Sequence, residues 1–178
     1  MIAVFTEGEA TEPDYLRALR RRLGDDTELR VDARHGRDPL DLVRIAIDCR
    51  DFGDVDDCWC LFDVEFPVQH ERLKDARSLA RDKGINLAIS NPCFELWLIL
   101  HFETHEAHLD NTSAQRRCRE LGCHQGKHID GELYMPALAA AVQRAEALDR
   151  RHHRNGTDFP DDNPSSGMHR FIRSLGLV

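Results

Sequence analysis

Four short apolar runs rich in β-branched residues alternate with helical patterns, and this alternation constrains the fold more than any other feature. The runs are "IAVFT" (2–6), "ELRVDA" (28–33), "CWCLF" (58–62) and "INLAIS" (85–90). Between them lie "TEPDYLRALRRRL", opened by Thr11, Glu12, Pro13 and Asp14 as a helix start should be, and "DPLDLVRIAIDCRDF", apolar at Leu40, Leu42, Val43, Ile45, Ala46 and Ile47. "HERLKDARSLARDKG" is amphipathic and stops at Gly84, a natural C′ residue. Strand–helix alternation implies βαβ units and a mainly parallel sheet. The first and third runs are nearly continuous, as expected of strands covered on both faces.

After Ser90 the patterns are helical: "NPCFELWLILHF", "SAQRRCRELG", the Ala-rich "MPALAAAVQRAEALDRRHH" and a closing "MHRFIRSLGLV". "RNGTDFPDDNPSSG" is turn-rich, and 103–111 is the weak linker candidate. The expectation is therefore one α/β domain over 1–178, with a four-stranded core in 1–102 and a mostly helical extension in 103–178. Its 178 residues are enough to bury a real core.

A net charge of −8 argues against a generic electrostatic clamp on nucleic acid. No apolar stretch is long enough to span a bilayer, and the start "MIAVFTEGEA" lacks a basic n-region. The six cysteines then read as reduced thiols of a cytoplasmic protein. Cys118, Cys123, His124 and His128 make a zinc set on paper, but without a Cys-x-x-Cys pair buried thiols are the better reading.

Ligands of parallel sheets bind at the carboxyl ends of the strands. Glu7 follows the first strand and Asp63 and Glu65 follow the third, while the fourth runs into "ISNPCFE", whose Glu95, one turn into a helix near the same end, is a catalytic candidate or a structural acid. Carboxylates gathered from separate strand ends suit Mg²⁺ or Mn²⁺. Acids at strand ends are also commonly just solvated, so both readings stand on pattern alone. Glu95 and His101, six apart, fall about 120° out of phase on a helix and need not serve one site. His101, His105 and His108 are spaced i, i+4, i+7, but in a polar context that favours a solvated face. Asn91 reads as a helix cap, Phe94 and Trp97 as core, and Ser165 and Ser166 as a capping loop.

The strings "FTEGEATEPDYL", "CWCLFDVEFP", "ISNPCFELWLILHF" and "NPSSGMHRFI" resemble the RloB family, to which AbiLii-type abortive-infection proteins belong. "EG" after strand one and an acidic pair after strand three also resemble the Toprim signature shared with OLD-type nucleases. The resemblance spans essentially the whole chain. It implies a Toprim-like fold, a role in anti-phage defence, and a neighbouring AAA/ABC-type ATPase as partner.

By that resemblance Glu7 is a general acid/base or metal ligand, and Asp63 and Glu65 hold a divalent ion. Glu65 departs from the usual Asp-x-Asp. Glu12, five residues after Glu7, is a further ligand or a helix-start acid favoured by the dipole. Lys127, in "CHQGKH", is a phosphate-contacting cation or a surface lysine. The basic cluster of Arg150, Arg151 and Arg154 touches a nucleic-acid backbone or simply suits a helix C-terminus.

Three functions follow: a Mg²⁺-dependent nuclease acting on DNA or RNA, a docking subunit of the ATPase with a decayed site, or a phosphotransferase. The third is weakened by the lack of a P-loop. Homo-oligomerisation is left open.

Overall fold

A computed structural model describes residues 1–25, 27–34, 36–123 and 126–178. The core is a five-stranded sheet of order β2-β1-β3-β4-β5. Strand β1 is Ile2–Thr6, β2 Leu29–Ala33, β3 Asp57–Asp63, β4 Asn86–Asn91 and β5 Ser165–Ser166. The first four strands are parallel, so the expected mainly parallel sheet is found.

Among the described residues the sheet has five strands, not the expected four. Strand β5 runs antiparallel to β4, with Ser90 opposite Ser166 and Asn91 opposite Ser165. Gly167 N–H extends the pairing by donating to Ile89 O at 2.7 Å. The segment read as a capping loop therefore closes the edge of β4. Ser166 keeps part of the capping role, since its Oγ accepts from Met168 N–H at 3.4 Å.

The helices are α1 Thr11–Arg20, α2 Pro39–Phe52, α3 Leu73–Lys83, α4 Phe94–Ile99, α5 Asn111–Glu120, α6 Leu138–Asn155 and α7 Met168–Ser174. Two 3-10 turns, Gly131–Leu133 and Met135–Ala137, precede α6. Asp38 caps α2 by accepting from Leu40 N–H at 2.8 Å, with Pro39 at the first helical position. Gly84 ends α3 with φ 67°, the left-handed cap that its sequence position predicts.

Strand alternation divides the core in two. Ala3, Phe5, Cys58, Cys60 and Phe62 pack with Leu42, Val43, Leu73 and Ala76 of α2 and α3. Val4, Trp59 and Leu61 pack on the opposite side with α1, α4, α6 and α7. Cys58 and Cys60 share one face, as their spacing predicts, and burial pushes the Cys58 thiol up to about 11. Phe94 and Trp97 are buried, as expected of core residues.

Helix α4 stops at Ile99, so no helical stripe of histidines forms. His101 is buried rather than solvated. Its Nε2 pairs with the Tyr15 hydroxyl at 3.0 Å and its Nδ1 with Trp97 O at 2.9 Å. Burial lowers its pKa to about 4. The rings of Tyr15, Trp97 and Tyr134 pack edge-on around it. The expected Asn91 cap is also corrected. Asn91 ends β4, and its amide donates to Pro160 O at 2.9 Å and Asp162 Oδ1 at 3.0 Å. The residue flanking α4 is Cys93, which makes no side-chain cap.

A candidate carboxylate site

Backbone ties bring the strand ends together. Glu7 N–H donates to Leu61 O of β3 at 3.2 Å, Val64 N–H to Ser90 O at 2.9 Å, and Glu65 N–H to Pro92 O at 2.8 Å. The turns after β1, β3 and β4 are thereby stitched into one rim, with Glu7 in the first, Asp63 and Glu65 at the second, and Glu95 in the helix that follows the third. Asp63 is two and four residues beyond Leu61 and Trp59, so alternation aims it at the α1 and α4 side of the sheet. Helix α1 brings Glu12 to the same side, and α4 brings Glu95.

Glu7, Gly8, Glu12, Gly36, Asp63 and Glu65 line a cavity of about 250 Å³. Glu12 is the most enclosed of these acids by surface area, at 8 % exposed. Gly8 has a specific reason to lack a side chain: a Cβ there would stand 2.0 Å from Glu12 Oε2. The Glu12 carboxylate occupies the space that any other residue would fill. Thr6 Oγ1 donates to Gly8 O at 3.0 Å and holds the turn in shape.

Burial and the neighbouring acids raise the pKa of two of these carboxyls, Asp63 and Glu12. Desolvation pushes Asp63 well above the carboxylate range, and the charges of Glu12, Glu95 and Glu7 push it further. Desolvation likewise raises Glu12 to about 7, with Glu95 and Glu7 adding to it, against lowering hydrogen bonds from its own and the Gly8 backbone. Beside them the Cys93 thiol is raised, by burial first and then by Glu95 and Asp63. Four of the five acids thus form one electrostatic unit. Glu65 joins it through the shared cavity.

Glu65 has a further distinction. Its φ is 66°, the left-handed region that a residue with a Cβ seldom adopts. The Pro92 hydrogen bond holds it there. Backbone strain of this kind is found at functional sites.

Glu7 presents one oxygen to His70, whose Nε2 stands 3.3 Å from Oε1. That distance allows an ion pair, but neither His70 Nε2 nor Glu7 Oε2 makes a hydrogen bond, and both are closed to solvent. The Glu7 contact raises the His70 pKa. Among the described residues, no three His, Cys, Asp or Glu side chains stand ready-made as a metal cage. The chemistry of the donors nevertheless suits a hard divalent cation. A buried carboxylate oxygen without a partner and two acids forced toward their neutral forms are what a +2 charge would relieve. Glu7, Glu12, Asp63, Glu65 and Glu95 are the residues that would hold it.

Lys127 lies at the mouth of an adjoining recess of about 190 Å³, lined by Gly8, Glu9, Ala10, Thr11 and Glu12. Its Nζ is 3.9 Å from Glu9 Oε2 and its side chain is 81 % exposed. Thr11 Oγ1 donates to Lys127 O at 3.0 Å, which anchors the segment beside α1. Sequence spacing gave no hint of this approach across more than a hundred residues.

The three arginines read as a nucleic-acid contact are not brought to the carboxylates. Arg150 pairs with Glu146 at 3.9 Å, Arg151 with Glu106 at 3.7 Å, and Arg154 lines a shallow pocket with Asp149, Arg150 and His153. They sit at the C-terminal end of α6, where cations complement the helix dipole. The paper zinc set does not assemble among the described residues: His128 turns to Asp14 at 2.9 Å, and His124 lies outside them. His70 is the site residue that the sequence reading missed. Its only signal was a histidine in the connection after the third strand.

No helix among the described residues is long and apolar enough to cross a membrane. No curated protein and no solved structure matches the chain. A family model described as RloB-like protein matches residues 2–175, nearly the whole length, and the chain therefore belongs to the RloB-like family.

Proposed function

We propose that this protein is a divalent-cation-dependent nuclease of anti-phage defence, hydrolysing phosphodiester bonds of DNA or RNA together with a partner ATPase. The observation that carries the reading is Asp63, held at the end of a parallel strand where burial and three neighbouring carboxylates force its pKa upward. A bound Mg²⁺ or Mn²⁺ would neutralise phosphate charge and acidify a water. Glu7, whose Oε2 has no hydrogen-bond partner, would ligate the ion through that oxygen and take up a proton when the ion is absent. Asp63 and Glu12 bind and orient. Lys127 stands exposed at the rim, where a phosphate arriving at the cavity would meet it.

The net charge of −8 opposes tight binding of nucleic acid by this chain alone, which supports an ATPase that delivers the substrate. The test is calorimetry of Mg²⁺ and Mn²⁺ binding to wild type and Asp63→Ala, followed by cleavage of labelled DNA and RNA with the ATPase added. Binding and cleavage that are both lost in a folded Asp63→Ala chain support the proposal.

A second reading, a docking subunit of the ATPase, is favoured by the lack of a ready-made metal cage among the described residues. It predicts a stable complex with the ATPase that Asp63→Ala leaves unchanged, and no cleavage.

A further inference from the structure

We infer that His70 is a positioning residue for Glu7, fixing one carboxylate oxygen so that the other, which has no hydrogen-bond partner, is left for the cation. The inference rests on the metal-site reading above. The connection after β3 curls back over the strand end, with His70 N–H donating to Val64 O at 3.3 Å. This brings Nε2 to 3.3 Å from Glu7 Oε1, and the two side chains are about equally shielded, at 24 % and 23 % exposed.

Nε2 and Glu7 Oε2 are buried polar atoms without hydrogen bonds, and such atoms ask for an explanation. They are answered by one arrangement. Nε2–H donating to Oε1, 3.3 Å away, satisfies the first atom, and hydrogen bonds in active sites commonly tighten when the site is filled. Oε2, without a hydrogen-bond partner, then remains free to bind a cation together with Glu12, Asp63 and Glu65, which line one cavity with Glu7. A carboxylate ligand held through its second oxygen by an outer donor is a recurrent feature of metal sites.

Arg72 reaches Asp38 at 3.1 Å and Asp41 at 3.6 Å, and Lys127 reaches Glu9. Glu65 and Asp38 also lie close enough to act on His70 electrostatically, but the ion-pair contact itself is with Glu7.

The test is Mn²⁺ calorimetry at pH 8 on wild type, His70→Ala, His70→Gln, Glu7→Gln, His70→Ala/Glu7→Gln and Asp63→Ala, each first shown by circular dichroism to fold. His70→Ala should weaken Mn²⁺ binding roughly tenfold, within the range for loss of an outer donor. His70→Gln, whose amide can still donate, should recover most of it. In the Glu7→Gln background, removing His70 should cost nothing further. Unchanged or tighter binding by His70→Ala, with binding still lost in Asp63→Ala, overturns the positioning role and leaves the carboxylate site standing. Wild type that binds no Mn²⁺, or binds it no better than Asp63→Ala, overturns the metal-site reading and this inference with it.

Discussion

Replacing Glu12 by Gln should make the metal-free protein more stable while weakening its cation site. Burial raises the Glu12 carboxyl from 4.5 to about 7 in the fold. Such a group contributes stability that is fully present below its unfolded pKa and is lost as pH rises through the folded one. The difference corresponds to about 3 kcal/mol, at roughly 1.4 kcal/mol per pH unit. At pH 8 in EDTA the ionised Glu12 therefore costs the fold about that much, and at pH 5 very little. Asp63 is raised in the same direction, so it steepens the wild-type profile. Gln keeps the shape and an acceptor for the Gly8 backbone but never ionises. With a urea slope of about 2 kcal/mol/M, the Glu12→Gln midpoint at pH 8 should exceed wild type by about 1.5 M, and the two should converge toward pH 5. Equal midpoints at pH 8, or a wild type that gains stability between pH 5 and 8, would refute the reasoning. Mn²⁺ at saturating concentration should reverse the order, stabilising wild type more than the variant.

Three further perturbations follow from the site and its support. Glu65→Gly relieves a left-handed φ and should raise metal-free stability by about 1 kcal/mol in urea unfolding, while calorimetry shows weaker Mn²⁺ binding. Gly8→Ala drives a methyl into the Glu12 carboxylate and should cost about 1–3 kcal/mol, most of it recovered in Gly8→Ala/Glu12→Ala. Tyr15→Phe strands His101 Nε2 in the core and should cost about 1–2 kcal/mol by urea unfolding at pH 7. Because the folded His101 pKa is lowered to about 4, its contribution is present above 6.5 and should be lost as pH falls toward 4 in wild type.

The parallel strands and the acids at their ends were legible because both signals are local. A run such as "CWCLFD" declares its burial and its terminus within six residues. Strand β5 was not legible, since two residues carry no period and their pairing is decided by the open edge of β4. His101 was misread because it was grouped with His105 and His108 of the polar "ETHEAHLD", although its own sequence neighbours Leu100 and Phe102 are apolar and its neighbours in space include Tyr15 and Tyr134. Glu12 was ambiguous for a related reason. Its position in the first turn of α1 suits an exposed acid, and only packing against Gly8 shows that it is enclosed. His70 and Lys127 reach the rim from connections, where spacing says little about direction in space.

Strand β5 also bears on how the chain is made. All five acids have been synthesised by residue 95, yet the exposed side of β4 is not sealed until Ser165 and Ser166 arrive, some seventy residues later. A ribosome stalled in between holds a nascent sheet with an open flank, a template for joining strands of other chains. Premature termination in this gene should therefore yield insoluble polypeptide rather than a smaller working protein. Reading frames cut before residue 165 should appear in the pellet of a lysate and not in its supernatant.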